Sequence, residues 1–507
     1  MRTPRHALSH QLRTAIIALA LTAIVTPPAT LLAQRSSPQS SSSPRSDSTA
    51  SDSSRRSNPA SALSFRAIGP AIISGRISDI AVDPRNKTTW YIGTASGGLW
   101  KTTNAGTTWT PIFDREHSYS IGVVVVDPKN PNIVWVGTGE NNAQRSVSYG
   151  DGVYKSIDGG HSWKNVGLKA SEHIGKIVID PRNSDVVYVA AQGPLWSGGG
   201  DRGLFKTTDG GATWKKILDG GDWSGASDVV LDPRNPDVVI ATTWQRYRRQ
   251  WGYIAGGPQS GVHRSTDGGA TWTKSQSGLP KEELGRTGLA ISPANPDVVY
   301  AVVETANDSG GFFRSNDNGV NWKKMSDYTA TSLYYQELFP DPTDVDRVYS
   351  VDVYTMVTED GGKKFDRLGE RNKHVDNHVV WIDPDNTEHL LIGCDGGLYE
   401  SFDRGATYTH FSNLPLAQFY KVEVDNSLPF YRIYGGVQDN STVGGPSQTR
   451  TDNGITNRDW FFTAGGDGFQ TRVDPKDPNT VYSQSQHGNL ARFDLATGER
   501  IGIQPQP

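Results

Sequence analysis

The 507-residue sequence has a single cysteine, Cys394, so it has no disulfide framework and no cysteine-based metal site. Lysine and arginine (50) nearly balance aspartate and glutamate (54), and the net charge of −4 gives no reason to expect nucleic acid or an anionic membrane as a partner. No useful stretch repeats apolar residues every 3.6 positions, so no long amphipathic helix is predicted. Gly-x-Ser-x-Gly and His-Glu-x-x-His motifs are also missing, and no cofactor is expected.

A short pattern, Ser/Thr-x-Asp-x-Gly-x-Thr-aromatic, occurs seven times between residues 102 and 408. The aspartate can accept hydrogen bonds from turn N–H groups, the glycine allows a positive φ, and the aromatic ring can pack between units. We call each copy an Asp box. Spacings of 43 to 58 residues between the aromatic ends indicate a repeat architecture. The aspartate position is occupied by Asn104, Asp158, Asp209, Asp267, Asp317, Asp360 and Asp403.

The residues around each box predict an all-β fold. An apolar run ending in Asp-Pro, a second Val/Tyr/Trp-rich run, a short Gly-Leu-aromatic-Lys run and the box recur in that order. Four short strands joined by turns form one blade of a β-propeller. Seven boxed blades are predicted over residues 63–411. Two further units without boxes, over 412–507, predict extra blades or the start of a second propeller that this chain does not finish.

The N-terminal region has the pattern of an export signal. Arginines at positions 2, 5 and 13 precede an apolar run, Ala15–Val25, and a cleavage site is predicted after Ala33. Residues 1–33 are therefore predicted to be a signal peptide and the serine-rich residues 34–62 a disordered linker. The mature protein is expected to be periplasmic or extracellular, without a stable membrane span after cleavage.

The Asp boxes, the Asp-Pro-x-Asn-Pro-Asp-Val-Val-Tyr run and the Gly-Gly-Leu-aromatic-Lys run together resemble two groups of proteins. One is the sortilin-type (Vps10) propellers with their bacterial secreted relatives, and the other is the two-propeller xyloglucanase-type glycoside hydrolases. The bacterial relatives are larger, which suggests a truncated chain. In the xyloglucanase type, a catalytic aspartate lies in blade one, where this sequence has Ala95. The resemblance therefore implies the fold without carrying over the activity.

Blade topology predicts where a ligand should bind. The Asp boxes lie at one end of the propeller, and the connections from second to third strands lie at the other. Three of these connections are long and consecutive: 137–152, 191–203 and 242–261. They should converge around one concavity, and their aromatic and arginine side chains suit glycans, peptides or carboxylates. The ligand-binding residues predicted here are Arg145, Trp196, Trp244, Arg246, Tyr247, Arg248, Arg249 and Trp251.

A second group of predicted site residues lies at the tunnel mouth. If 374–378 is a strand, His374, Asp376 and His378 point to one side, where they would line the tunnel or, as the alternative, bind a metal. The segment Gln438, Asp439 and Asn440 is expected nearby.

Two functions remain open from the sequence. The first is an exported propeller that binds a peptide, protein or glycan on its loop-rich face or in its tunnel. The alternative is a glycoside-hydrolase-like enzyme acting on a polysaccharide. Such an enzyme needs two carboxyl groups that flank the cleaved bond. The candidate carboxyls are Glu140, Asp376, Asp395 and Asp439.

Overall fold

The computed structural model describes residues 66–331 and 333–505, so the predicted signal peptide and the whole of the predicted linker lie outside the described residues. Nine antiparallel sheets of at least four strands follow one another along the described residues, and a small two-stranded sheet is added to them. Blade one contains β1 (Ile77–Val82), β2 (Trp90–Thr94), β3 (Leu99–Thr102) and β4 (Thr110–Pro111). Blade two contains β5 (Ile121–Val126), β6 (Val134–Thr138), β7 (Val153–Ser156) and β8 (Lys164–Gly167). Blade three contains β9 (Ile174–Ile179), β10 (Val187–Ala191), β11 (Gly203–Thr207) and β12 (Lys215–Leu218).

Blade four differs because a small hairpin is inserted between its second and third strands. The blade contains β13 (Ser224–Leu231), β14 (Val239–Gln245), β18 (Gly261–Ser265) and β19 (Thr273–Lys274). The inserted hairpin consists of β15 (Tyr247–Arg249) and β16 (Gly252–Ile254). The strand β17 (Gly256–Gly257) follows it and pairs with the first strand of blade five.

The remaining boxed blades have the regular order. Blade five contains β20 (Leu284–Ile291), β21 (Val299–Thr305), β22 (Gly311–Ser315) and β23 (Lys323–Ser326). Blade six contains β24 (Leu338–Pro340), β25 (Val348–Ser350), β26 (Met356–Thr358) and β27 (Asp366–Arg367). Blade seven contains β28 (Asn377–Ile382), β29 (Leu390–Cys394), β30 (Gly397–Ser401) and β31 (Thr409–His410).

The seven boxed blades close into a ring. The first strand of each blade contacts the first strand of the next, and β28 of blade seven contacts β1 of blade one. A shared core joins this last pair: Ile77 and Trp90 of blade one pack with Val379 and Leu391 of blade seven. The predicted β-propeller is therefore confirmed.

Two more four-stranded sheets follow the ring. Sheet eight contains β32 (Phe419–Val424), β33 (Arg432–Val437), β34 (Thr442–Pro446) and β35 (Phe461–Ala464). Sheet nine contains β36 (Gly468–Val473), β37 (Thr480–Ser485), β38 (Leu490–Asp494) and β39 (Arg500–Gly502). Short 3-10 turns lie at Asn457–Asp459 and Gln486–Gly488. The two sheets pack on each other through Tyr434, Val481 and Phe493.

Each Asp box lies in the turn between the third and fourth strands of its blade, and the hydrogen bonds of its aspartate are made within that turn. In blade three, Asp209 Oδ1 accepts from the Thr213 N–H (2.9 Å) and the Thr207 hydroxyl (2.7 Å). Asn104 takes the same place in blade one and accepts from the Thr108 N–H at 2.9 Å. The box tryptophan links neighbouring blades, because Trp214 Nε1 donates to the Val166 carbonyl of blade two at 2.8 Å. The boxes thus build and join blades at the end of the ring opposite the long loops.

Candidate functional site

The blade-two loop closes the end of the tunnel that carries the long loops. Its residues Glu140–Ala143 are almost completely buried, and side chains of blades three, four and five hold their backbone. The contacts to the four carbonyl oxygens are His173 Nδ1 to Glu140 (3.0 Å), Arg286 Nη1 to Asn141 (3.2 Å), Arg246 Nη1 to Asn142 (2.9 Å) and Arg248 Nε to Ala143 (2.8 Å). This segment is therefore a structural plug, which corrects the expectation that it forms an open ligand surface.

The tunnel is also crossed by an ion pair just inside the plug. Lys176 of blade three lies 3.3 Å from the Glu337 carboxylate of blade six, and these blades are not neighbours in the ring. Glu337 also accepts a hydrogen bond from Asn141 at 2.7 Å. This ion pair links two blades that are not neighbours in the ring. Binding of a peptide, protein or glycan in the tunnel stays a prediction.

Arg76 of blade one is the centre of a charged cluster at the seam where the ring closes. Its guanidinium donates to Glu140 at 2.7 Å and to both oxygens of Asp395 at 2.5 and 3.1 Å. Burial alone would lower the pKa of Arg76, but the charges of Glu140 and Asp395 outweigh burial and raise it. Glu140 also accepts from Asn142 (2.6 Å) and Tyr335 (3.2 Å), and its side chain is 1% exposed. Glu140 therefore has no free side for a substrate.

Asp439 borders this cluster and remains partly open to solvent. It lies in the loop between β33 and β34 of sheet eight, its carboxylate is 3.7 Å from Arg76, and its side chain is 32% exposed. Burial and the neighbouring carboxylates of Asp395 and Asp467 raise the pKa of Asp439 to about 8. Asp395 behaves in the opposite way: burial opposes its ionisation, but Arg76 and His378 hold its pKa well below the ordinary value. The seam thus combines a protonated carboxyl with an ionised one near neutral pH.

Asp376 lies on the blade-seven side of the same cluster. Its carbonyl accepts the Asp395 N–H at 3.1 Å, and burial together with the Asp395 charge raises the pKa of its carboxyl. Both Asp376 (φ 63°) and Asp439 (φ 57°) have left-handed backbone, which costs free energy in a non-glycine residue. Asp376 and Asp439 therefore both place a partly buried carboxyl near Asp395, and both have an unfavourable backbone conformation.

The predicted alternation of His374, Asp376 and His378 on one strand face is wrong. The strand begins at Asn377, and the positive φ of Asp376 turns the chain just before it. His378 is fully buried, with Nδ1 2.5 Å from the Ile77 carbonyl and Nε2 2.5 Å from the Tyr334 hydroxyl, while His374 Nδ1 faces the Val375 carbonyl at 2.7 Å. Among residues 66–331 and 333–505, no group of three or more His, Cys, Asp or Glu side chains could hold a metal ion. The metal alternative therefore finds no support in this part of the chain.

The three long loops contact one another through Ala143, Leu195 and Trp244, but several side chains predicted to bind a ligand face inward. Trp244 is 1% exposed and lies between the guanidinium groups of Arg246 and Arg286, each 5.2 Å from its ring centroid. Arg246 and Arg248 are also buried, and their guanidinium groups donate to backbone carbonyls of the plug. These three residues position loops and have no surface for direct ligand contact, which corrects their predicted role.

Other predicted residues remain accessible. Trp251 at the tip of the β15–β16 hairpin is 85% exposed, Trp196 is 41% exposed, and Arg145 and Arg249 also face solvent. Tyr247 is half-buried, with Arg249 over its ring at 4.3 Å. Their part in binding stays a prediction.

Two neighbours of Asp439 stabilise the sheet-eight loop. Gln438 accepts from Gln418 at 2.7 Å, and Asn440 donates to the Asp395 carbonyl at 3.0 Å. The latter bond ties this loop to blade seven.

An aromatic pair that was not predicted from the sequence lies beside Asp439. The rings of Tyr420 and Phe469, from β32 and β36, stack at 5.2 Å with an interplanar angle of 6°, and each is more than a third exposed. Burial and the charges of Asp467 and Asp439 raise the pKa of Tyr420 to about 12. The only signal in the sequence was an aromatic residue near the start of each unboxed unit.

No protein-family model matches the sequence. The chain is similar to a xyloglucanase of Hypocrea jecorina, with 27% identity over 337 residues that cover 63% of this chain and 36% of that protein. It is also similar to the xyloglucanase Xgh74A of Acetivibrio thermocellus, with 24% identity over 489 residues that cover 73% of this chain and 55% of that protein. The chain thus spans about a third to a half of the length of these relatives. The resemblance to the glycoside hydrolase group is supported, whereas the sortilin resemblance stays a prediction.

Solved structures with related folds include an ancestral GH74 enzyme, with 16% identity, a TM-score of 0.47, and coverage of 85% of this chain and 69% of that one. Another is YCF48 bound to a D1 peptide, with 15% identity, a TM-score of 0.44, and coverage of 67% and 98%. Both scores are below 0.5, so the fold rests on the strands and contacts described above. No helix among the described residues is long and apolar enough to cross a membrane.

Proposed function

We propose that this chain is the propeller part of a glycoside hydrolase that cleaves a polysaccharide at the Asp439 cluster, with Asp439 as proton donor. The observation that carries the proposal is the contrast between two neighbouring carboxyls: the pKa of Asp439 is raised to about 8, and that of Asp395 is held low by Arg76. Environments that separate the pKa values of adjacent carboxyls are typical of acid–base sites. This supports the hydrolase alternative over binding alone.

The chemistry requires one carboxylic acid to protonate the leaving oxygen and a second carboxylate to assist water or attack the sugar. Asp439 keeps its proton near neutral pH and retains an exposed edge, which suits the first role. Asp376 is the second carboxyl of the proposal, because it flanks Asp395 from blade seven and is partly accessible. Asp395 itself is positioned by Arg76 and keeps the proton on Asp439 through its negative charge.

This arrangement differs from the xyloglucanase pattern in blade one. Ala95 is fully buried, and its N–H donates to the Arg76 carbonyl at 3.0 Å, so blade one offers no carboxylate there. The proposed pair therefore comes from blade seven and sheet eight. The relatives' name, xyloglucanase, makes xyloglucan the first substrate to test.

The experiment is release of reducing ends from xyloglucan by the full chain and by D439N. The amide keeps the shape of Asp439 but cannot donate a carboxylic proton, so we expect a loss of about 10²- to 10⁴-fold in kcat. D452N, in an exposed loop of sheet eight, is the matched control and should keep the wild-type rate. Equal rates for wild type and D439N would contradict the proposal, as would the absence of hydrolysis by the wild-type chain on xyloglucan, cellulose and mixed-linkage glucan.

A further inference from the structure

An open groove lies beside the blade-four hairpin. Its volume is about 380 Å³, and its walls come from Tyr253 and Ile254 of β16 on one side and Glu283 and Glu304 of blade five on the other. Ligand sites in proteins commonly enclose about 300–1,000 Å³. A second cavity of about 630 Å³ shares Glu304 and Thr305 with it, so the depression continues along blade five.

The floor of this groove is flat because it is made of paired glycines. Gly256 pairs with Gly285 between β17 and β20, and Gly257 pairs with Leu284. A Cβ at Gly285 would lie 2.5 Å from Glu304 Oε2, and one at Gly256 would lie 2.8 Å from the Leu284 carbonyl oxygen. A side chain at these positions would therefore collide with protein atoms, and glycine is what lets β17 and β20 lie so close together beneath the groove.

Tyr253 forms the aromatic wall of the groove, and Arg248 supports its ring. Arg248 lies over the Tyr253 ring at 5.0 Å from its centroid, and Arg248 is itself held by the Ala143 carbonyl of the plug. Tyr253 is nevertheless 45% exposed and lines the groove. A ring supported behind by a buried cation loses little conformational entropy when a ligand stacks on its free face.

We propose that this groove binds one or two pyranose units of the polysaccharide chain, stacked on Tyr253 over the glycine floor, with hydroxyl groups donating to Glu283 and Glu304. The ligand class rests on the proposed function. Blades four and five lie across the ring from the seam of blades seven and one, so this site would hold a part of the chain away from the cleaved bond. Its contribution would be to affinity for long substrates.

The test is binding of a xyloglucan oligosaccharide to the full chain by titration calorimetry, with Y253A and Y253F. Loss of the ring should weaken binding about tenfold, since both the stacking contact and the apolar area buried by the ring are lost. Y253F keeps the ring and should bind within twofold of wild type. F402A, an exposed aromatic at the Asp-box end, is the control for unspecific loss.

The outcomes separate this site from the proposed function. If Y253A binds the oligosaccharide with wild-type affinity while D439N is inactive, the sugar site in the groove is overturned and the Asp439 proposal stands. Weakened binding in Y253A, with D439N as active as wild type, would support the groove and overturn the Asp439 proposal. Tri-lysine serves as a second probe, because the groove contains two glutamates. If the wild-type chain binds tri-lysine but no oligosaccharide, and Y253A binds neither, the sugar site is overturned and the groove is assigned to a cationic peptide.

Discussion

Arg76 holds Asp395 through two hydrogen bonds of 2.5 and 3.1 Å, and this pair joins the first and seventh blades where the ring closes. The same guanidinium also binds Glu140, which belongs to the plug. One buried arginine thus links ring closure, tunnel closure and the acidity of the proposed site.

Replacing Arg76 with alanine should be strongly destabilising. The change leaves Glu140 and Asp395 buried without their cation, and breaking a buried ion pair in this way costs about 3–5 kcal/mol. Chemical denaturation of R76A should show this loss. R85A removes an exposed arginine and should stay within about 0.5 kcal/mol of wild type, so equal stability of the two variants would contradict the assigned role of Arg76.

The two tryptophans of the blade-four insertion should respond differently to substitution. W244A removes a buried ring packed between two guanidinium groups, and such truncations cost about 3–5 kcal/mol. W251A removes an 85% exposed ring and should change stability by less than about 0.5 kcal/mol. Thermal unfolding of both variants measures the contrast. Similar losses in both would show that the hairpin tip is packed in solution.

The sequence predicted the repeat fold because the information is local. Asp209 and Thr213 lie four residues apart, and their turn can be recognised without knowing what surrounds it. The order of strands then placed the long loops at one end. Those two steps required no knowledge of contacts between blades.

The site was less predictable because its contacts join distant segments. Arg286 and Asn141 are 145 residues apart in sequence, and nothing in either segment shows that one binds the other. The arginines of the blade-four loop therefore resembled a ligand surface, although they hold a plug. The strand expected at 374–378 was wrong for a local reason, since the positive φ of Asp376 interrupts the alternation.

Two buried aspartates near the Lys176–Glu337 ion pair, Asp79 and Asp228, should give the protein an unusual dependence of stability on pH. Burial and the Glu337 charge raise the pKa of Asp79 to about 7, and burial raises that of Asp228 to about 6. The folded state therefore binds more protons than the unfolded state between the unfolded pKa of about 3.9 and the folded values. Stability should fall as pH rises through this window.

Urea denaturation at pH 5, 6 and 7 measures this slope. D79N cannot ionise at this position and should show a smaller decrease in stability across the three pH values. An unchanged slope in D79N would show that Asp79 does not carry the effect. At lower pH the sign reverses, because the depressed pKa of Asp395 makes its protonation destabilising.

The most direct test of the account is the pH profile of kcat/KM for xyloglucan hydrolysis by the full chain and by D439N. The free enzyme needs Asp439 protonated, so the wild-type value should fall as pH rises through about 8. D439N should be at least about 100-fold slower and should lack this limb. A D439N profile that coincides with the wild-type curve, limb included, would contradict the assignment of Asp439 as proton donor.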